Sequence, residues 1–467
     1  MSPIQGDADF NHPSYNEICT RLAGRDLLLE EIGEPLEVLL PFLQAGHIVM
    51  RPGLSKSGKG WLCHRCLESD PGLFAAFSCA RCGQVCTYCR TCLEMGRIDT
   101  CGVLFSWNGR APLPEGTASL QWQGELSPGQ QKASNALCRA VADGTELLIW
   151  AVCGAGKTEI LFRGIEDACL SRRRILLTTP RAEVVMELLP RIRAAFPGLI
   201  VKGLYGGSEE RFGYADIHIA TTHQTRRFRD AFDVVIIDEI DAFPFSYDPS
   251  LKQAVDKAAK SGAARIYLTA TPSRLLKKQA RDGKLPFIQI PRRYHGYPLP
   301  VPTLKWIGNW KKALKKDRIP PALLAWCEKK TSAGVPVFVF VSSVEQAETA
   351  ARLLAEKWEG TIGVHAADPR RHEKIQLFRN KKAPILVTTT ILERGVTIKG
   401  AEAAVLGAEE SIFDEKALVQ IAGRVGRSKD QPEGDVMYFH YGKTSAMLEA
   451  VRHIQTMNKQ GSNAHGE

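Results

Sequence analysis

The sequence predicts an α/β protein: two parallel-sheet domains in tandem, preceded by a small cysteine-rich, zinc-binding domain. Three observations carry this. An apolar run at Leu147–Val152 breaks into a glycine-bearing loop and then a helix-like segment. From there a strand–helix rhythm continues almost to the carboxyl terminus, the pattern of mostly parallel sheets covered on both faces. Eight cysteines fall between Cys63 and Cys101. A chain of 467 residues exceeds a single core and points to about three domains.

Composition is that of an ordinary globular protein, 44% hydrophobic and 24% charged. The net charge of +10 is compatible with a polyanionic partner, but many proteins that bind none share it. No apolar run approaches the roughly 20 residues that span a bilayer. The first residues, Met1 to Asp9, have neither the basic start nor the apolar core of a signal peptide. A cytosolic chain is the expectation. Thirteen cysteines in a reducing compartment argue against a disulfide framework, and their clustering points to metal.

In chain order, residues 1–60 place apolar residues at helical spacing around Leu27–Leu43, interrupted by Pro35 and Pro41. They read as a structured lead-in without chemistry. A zinc-binding domain is expected over 61–109. Cys63-His-Arg-Cys66 is one CxxC and Cys79-Ala-Arg-Cys82-Gly83 another, with the small residue that a tight knuckle turn wants. Cys86, Cys89, Cys92 and Cys101 complete the set. Two such pairs close a tetrahedral Cys₄ site, which is structural because no position is left for water. Spacing does not fix the pairing. Cys63/Cys66 with Cys89/Cys92 leaves Cys79, Cys82, Cys86 and Cys101 for a second ion; Cys63/Cys66 with Cys79/Cys82 leaves CxxCxxC plus Cys101. One or two Zn²⁺ are expected, with an iron–sulfur cluster as the minor alternative.

Residues 110–124 are rich in Pro and Gly and read as a linker opening the first sheet domain, expected over 110–300. Gln130 stands where an adenine-reading glutamine would, although Ser127-Pro128 makes a helix cap from the same letters. Gly154-Ala155-Gly156-Lys157-Thr158 has the layout of a P-loop. Small residues let backbone N–H groups curl around a phosphate, and the following helix points its positive end at it. Lys157 would reach the β- and γ-phosphates of ATP, and Thr158 would take a position on Mg²⁺. Ala151 replaces the first glycine of the strict pattern, a small residue for a small residue.

Further strands are expected at Arg174–Thr179, Asp216–Thr221, Asp233–Asp238 and Arg265–Thr269. The third delivers Asp238 and Glu239 to the carboxyl end of the sheet, where such sheets place ligands. Asp238 would hold Mg²⁺ and Glu239 would orient or deprotonate the attacking water. Strand ends carrying Arg181 and Thr222 could meet a phosphate backbone. Thr269-Ala-Thr271-Pro272 is on its own a turn. Residues 274–318 are strongly basic, and Trp306 and Trp310 among six cations suit single-stranded nucleic acid, although such a run is also what a solvated helix face looks like.

A second sheet domain, expected over 301–467, shows strands at Pro336–Val341, Thr361–His365, Ile385–Thr389, Ala403–Leu406 and Val436–Tyr441, without a second P-loop. It supplies Thr389 and Gly395 in one segment, and Gln420, Arg424 and Arg427 in another. Two arginines three apart lie on one helix face and suit charge on a transferring γ-phosphate across a cleft. Residues 455–467 are polar and read as frayed.

Taken together and in order, Gly154–Thr158, Asp238–Asp241, Thr269–Pro272, the Gly395 segment and Gln420–Arg427 resemble superfamily 2 helicases, whose two RecA-like domains clamp ATP between them. The zinc cysteines ahead of the first domain, with Asp238-Glu-Ile-Asp-Ala-Phe-Pro244, Arg293-Tyr-His-Gly-Tyr-Pro-Leu-Pro300 and Thr389-Thr-Ile-Leu-Glu-Arg-Gly-Val396, narrow the resemblance to the ComFA family of late-competence DNA-uptake ATPases of Gram-positive bacteria. That resemblance implies an ATPase at the inner face of the membrane, acting on single-stranded DNA that enters through the ComEC channel, with ComFC and DprA as partners. It also implies a Cys₄ zinc site, matched best by Cys63/Cys66 and Cys89/Cys92; the other four cysteines depart from the minimal pattern. A primosomal replication-restart helicase, whose cysteines lie within the helicase portion, and a zinc-dependent binding scaffold are the competing readings. An RNA substrate is a further alternative, because backbone-tracking motifs carry little base information.

Overall fold

The computed structural model describes residues 12–463 apart from 59, 114–116, 211 and 391–397. Near the amino terminus, helices Tyr15–Leu22 and Leu36–Gln44 bury Ile18, Leu22, Leu39 and Phe42 against Ile48 and Phe105. Strand β1 (Ile48–Pro52) pairs antiparallel with β6 (Val103–Trp107), so the stretch expected as a lead-in shares a sheet and a core with residues beyond the cysteines. Between them lie two hairpins, β2 (Leu54–Ser57) with β3 (Gly60–Cys63) and β4 (Phe74–Ser78) with β5 (Val85–Cys89). The cysteines lie on these hairpins and just after them, with Cys92 in the short helix that follows β5 and Cys101 in the turn before β6.

The first RecA-like domain is a seven-stranded parallel sheet. Its strands are β7 (Glu146–Ala151), β8 (Ile175–Thr179), β9 (Val201–Leu204), β10 (Ile217–Thr221), β11 (Phe232–Asp238), β12 (Ala259–Thr269) and β13 (Phe287–Ile290), in the spatial order β13-β7-β12-β11-β8-β10-β9. Apolar runs are fully buried here because both faces are covered. Along β11, Val234 and Ile236 join one core while Val235 and Ile237 join the other, as the two-residue period of a strand requires.

The second RecA-like domain is a six-stranded parallel sheet of β14 (Thr303–Trp306), β15 (Val337–Phe340), β16 (Ile362–Val364), β17 (Ile385–Thr388), β18 (Glu402–Leu406) and β19 (Val436–His440), ordered β14-β19-β18-β15-β17-β16. Helix Trp310–Leu314 packs inward, and Trp310 is only 1% exposed. The carboxyl-terminal tail is not frayed from residue 455: helix Ser445–Asn463 runs through it with Ile454 and Met457 buried. That helix reaches back to the first domain, where Asn458 bonds both the N–H and the carbonyl of Leu299 and Gln460 bonds Gln289.

The cysteine-bearing unit is seated on the first domain by buried charge. Glu31 bridges Arg65 at 2.7 Å and Arg227 at 2.8 Å, and Asp26 accepts from Arg229 at 2.8 Å with Lys257 at 3.3 Å. Among the described residues no helix is long and apolar enough to cross a membrane.

Candidate nucleotide cleft and cysteine clusters

The loop after β7 bends through two left-handed glycines, Gly154 at φ +82° and Gly156 at φ +73°. Gly156 caps helix Lys157–Leu170, and a Cβ there would lie 2.4 Å from Gln130 Nε2. Gln130 donates from Nε2 to the Ala155 carbonyl at 2.9 Å and accepts from the Ser127 N–H at 2.8 Å. Both ends of its amide are therefore occupied by protein. Gln130 lines the cleft, braces the loop and completes the helix cap at Ser127.

At the end of β11, Asp238 Oδ1 lies 3.5 Å from Lys157 Nζ. Burial by itself would lower the Lys157 ammonium, but Asp238 and Glu239 outweigh it and hold its pKa above the ordinary lysine value. Glu239 stands at φ +57°, a left-handed backbone that strains a non-glycine residue by about 1 kcal/mol or more. The next acid, Asp241, accepts from the Thr271 hydroxyl at 2.6 Å and from the Thr269 hydroxyl. Thr269-Ala-Thr271 is thus more than a turn: it ties the end of β12 to the acidic segment.

The second domain closes the cleft from the other side. Gln420 accepts a hydrogen bond from the Cys153 thiol at 3.0 Å, and a Cβ on Gly423 would fall 2.3 Å from Cys153 Cβ, so the two domains meet there without room for a side chain. Arg424 and Arg427 do not share a helix face. Helix Glu415–Ala422 ends before them: Arg424 stands in the turn that follows, and Arg427 comes just past its last residue, Gly426 at φ +68°. Arg424 is buried, and its pKa is drawn down to about 9 by burial first and by Arg427 next. Gly154, Ala155, Gly156, Lys157 and Thr158 line the same cleft, of about 560 Å³, as Asp238, Glu239, Gln420, Arg424 and Arg427. Pockets of this size hold small-molecule ligands.

Two aromatic walls of the cleft, Trp122 and Tyr294, carry no sequence signal as site residues. Trp122 sits in the Pro/Gly-rich linker and is held there by an edge contact with Phe162 at 5.5 Å. Gly395, with the segment 391–397, lies outside the described residues.

The expected nucleic-acid contacts are scattered more widely. Arg181 Nη1 donates at 3.5 Å across the domain boundary to the carbonyl of Thr390, next to half-buried Thr389. Thr222 is fully buried, so in this arrangement its hydroxyl is not presented to a phosphate. Trp306 is 64% exposed. Trp310 is a core residue instead: its ring packs against Gly407 and its indole N–H donates to Glu409 at 2.7 Å, leaving no face for a base.

The eight cysteines resolve into two groups, Cys63/Cys66/Cys89/Cys92 and Cys79/Cys82/Cys86/Cys101, each with its sulfurs within 4.8 Å of one another. In the first, Cys63 and Cys92 are 3.8 Å apart and Cys66 and Cys89 3.6 Å. A tetrahedron of 2.3 Å zinc–sulfur bonds separates its sulfurs by about 3.8 Å, so the donor set fits zinc. The two CxxC turns share one geometry. The Cys63 N–H donates to Glu68 and its carbonyl accepts from Leu67; likewise the Cys79 N–H donates to Gln84 and its carbonyl accepts from Gly83. The residue that donates to the cysteine carbonyl is left-handed in both, Leu67 at φ +62° and Gly83 at φ +70°. The Cys82 N–H, joined by that of Arg81, draws the Cys79 thiol down to about 7 against a smaller effect of burial. That is the thiolate form that binds metal.

Comparison with known proteins matches three regions. Residues 11–106 match the Competence protein ComFA N-terminal domain, 123–274 the Type III restriction enzyme, res subunit, and 316–429 the Helicase conserved C-terminal domain. Competence protein ComFA of Bacillus subtilis is 45% identical over 98% of this chain and 97% of its own. Competence protein ComFA of Streptococcus pneumoniae is 37% identical over 80% of this chain and 86% of its own. Among solved structures, the DEAD-box helicase Mss116 bound to ssRNA and UDP-BeF shares the fold at TM-score 0.54 and 15% identity, covering 69% of this chain and 70% of that one.

Proposed function

Because the chain belongs to the ComFA family of competence proteins, we propose that it is an ATP-driven motor on single-stranded DNA that draws the incoming strand into the cytosol during natural transformation. The coarser activity, a competence-associated helicase-type enzyme using ATP and Mg²⁺, follows from the family and domain matches themselves. The observation that supports the finer reading is one cleft in which Lys157, Asp238 and Glu239 of the first domain face Arg424 and Arg427 of the second.

In this reading Lys157 binds the β- and γ-phosphates of ATP, and Thr158 and Asp238 hold Mg²⁺, which neutralises phosphate charge when bound. Glu239 orients the attacking water and takes its proton. Arg424 and Arg427 stabilise charge on the phosphoryl group as it transfers. Loss of the γ-phosphate removes the anion that joins the two domains. The cleft then opens, and groups on both domains, among them Arg181 and Thr389, shift along the DNA backbone; Trp306 offers an exposed ring to bases. Gly395 belongs to the same second-domain segment as Thr389. Each cysteine group binds one Zn²⁺ and stiffens the unit docked on the first domain. The family resemblance supplies the setting: the inner face of the membrane, the ComEC channel as source of the strand, and ComFC and DprA as partners.

ATP turnover measured without nucleic acid, and with single-stranded DNA, duplex DNA or single-stranded RNA, tests this reading. Stimulation by single-stranded DNA well above the other three is expected. Equal turnover in all four would leave a nucleotide switch or scaffold, and a preference for RNA would reassign the substrate.

A further inference from the structure

The stretch from Arg274 to Phe287, which joins β12 to β13, carries five cations and a single carboxylate. Lys277 is engaged in the fold, its ammonium 5.4 Å over the ring of Trp150 on β7. The other four face outward. Arg274, Lys278 and Arg281 recur at i, i+4 and i+7 on helix Arg274–Arg281, and Lys284 follows in the turn beyond it. At the rise of an α-helix the three stand about 6 and 4.5 Å apart along one face.

These charges are unlike those of the other exposed helices. Elsewhere they are laced into pairs, Arg352 with Asp317 and Glu356, and Lys357 with Glu328. No carboxylate among the described residues pairs with Lys278, Arg281 or Lys284. Arg274 has Glu449 at 3.9 Å and keeps 94% of its side chain exposed. The helix dipole favours cations in the last turn, so Lys278 and Arg281 alone say little. Arg274 stands at the wrong end for that account. It follows directly on the cap Ser273, whose hydroxyl accepts from the Leu276 N–H, in a first turn without an acid. Two apolar side chains flank the row: Leu275 is 65% exposed and Phe287, at the start of β13, is 42% exposed.

We propose that Arg274, Lys278, Arg281 and Lys284 form a second nucleic-acid contact, outside the groove between the domains, that holds the backbone of a single strand while Leu275 and Phe287 meet its bases. Evenly spaced cations without counter-charge complement a row of phosphates. A duplex keeps its bases stacked inside and would leave Leu275 and Phe287 idle. A lipid surface fits less well, because an interfacial helix turns an apolar face outward, whereas here Leu276 and Ala280 are half-buried and the outward face is cationic. The face is also separate from the strand ends assigned to the groove. Helix Arg274–Arg281 lies over β7, and Arg181 follows β8, three strands away in the sheet, about 14 Å at ordinary strand spacing. The strand can therefore stay held on this flank while the groove releases it. The proposal rests on the reading of the chain as a motor on single-stranded DNA.

The test uses the full chain and a fluorescent oligothymidylate, with binding followed by anisotropy over a series of salt concentrations. The double variant Lys278→Glu/Arg281→Glu is compared with Lys381→Glu/Lys382→Glu, which makes the same change in net charge at exposed lysines ahead of β17. The first is expected to bind about tenfold more weakly, and its slope of log K against log salt to flatten by about 1.4, as each single-strand phosphate contact contributes about 0.7. Its ATP turnover without nucleic acid should match the parent. Phe287→Ala is expected to weaken binding about fivefold at an unchanged slope, because a stacked base releases no counterions. Parental affinity and slope in Lys278→Glu/Arg281→Glu would overturn the second contact, and so would an equal loss in Lys381→Glu/Lys382→Glu. Sedimentation with phosphatidylglycerol vesicles that is lost in Lys278→Glu/Arg281→Glu, with oligothymidylate binding intact, would overturn it in favour of a lipid surface. A parent chain that binds no oligothymidylate at any salt concentration would instead overturn the motor reading beneath it.

Discussion

Lys157 shows what a single residue contributes to the cleft. Its ammonium faces Asp238 at 3.5 Å, with Glu239 and Asp241 adding to its field, so it is held in the charged form. A lysine whose folded pKa is raised contributes its stability fully below the unfolded value and loses it only as pH climbs through the folded one. Across the neutral range, then, its charge does not vary and turnover should show no titration from this group. Lys157→Ala removes the cation and leaves Asp238 and Glu239 facing each other. Turnover is expected to fall by roughly a hundredfold or more, the usual loss of one electrostatic contact to a transferring group. Asp238→Ala should fall as far; parental turnover in either would remove the cleft from the chemistry. These residues were legible because a phosphate loop needs small residues and one lysine at fixed spacing, whatever surrounds it. Trp310 was not, because an aromatic among lysines reads the same whether its ring faces solvent or, as here, stacks under Gly407. Arg293 was visible only as part of a motif without a role, since its partner, the Gly426 carbonyl, lies 133 residues further along the chain.

The strands and turns divide in the same way. Central strands such as β8 and β10 are buried at every position, so their apolar runs stand out in the sequence. The short strands β9, β13 and β14, each of four residues, leave no such run. The zinc knuckles were half legible. Gly83 announces a left-handed turn, but Leu67 adopts the same φ without any sequence mark, imposed by the matching hydrogen bonds around Cys63. This shared turn leads to a prediction on stoichiometry. Purified protein should contain two Zn²⁺ per chain, and Cys82→Ser should contain one. The groups are unequal in burial: Cys63, Cys66, Cys89 and Cys92 form a small core with Ile98 and Leu104, whereas Cys82 is exposed. Cys66→Ser should therefore lower the melting temperature by several °C more than Cys82→Ser does, because structural zinc is coupled to folding. One zinc per chain in the parent, unchanged in Cys82→Ser, would leave the second group as free thiols.

At the scale of the whole molecule, the cysteine-bearing unit and the first domain behave as one body because charge is buried between them. Asp26 is the centre of that contact. It accepts from Ser106 at 2.6 Å within its own unit and faces Arg229 and Lys257 across the seam, while its backbone N–H donates to Arg227 at 2.7 Å. Burial raises the Asp26 carboxyl, but Lys257 and Arg229 outweigh burial and leave its pKa below the ordinary value of 3.8. A depressed carboxylate contributes stability above its unfolded pKa and loses it as pH falls through the folded value, so this seam holds at neutral pH and weakens only in strong acid. Asp26→Asn removes the anion and leaves two cations buried together. A loss of about 3–5 kcal/mol is expected from denaturant unfolding, the usual result of breaking a buried pair from one side. The loss has a functional direction as well. Arg226 and Arg227 end the short 3-10 helix Gln224–Arg227 that follows β10, and Arg226 donates to the Thr91 carbonyl between Cys89 and Cys92 at 3.1 Å. Loosening the seam loosens that short helix, while Lys157 and Asp238 stand elsewhere on the sheet. Asp26→Asn is therefore expected to keep its basal turnover at a temperature where the variant remains folded, while its unfolding midpoint falls. A variant that unfolds as the parent does would show that the two units merely touch.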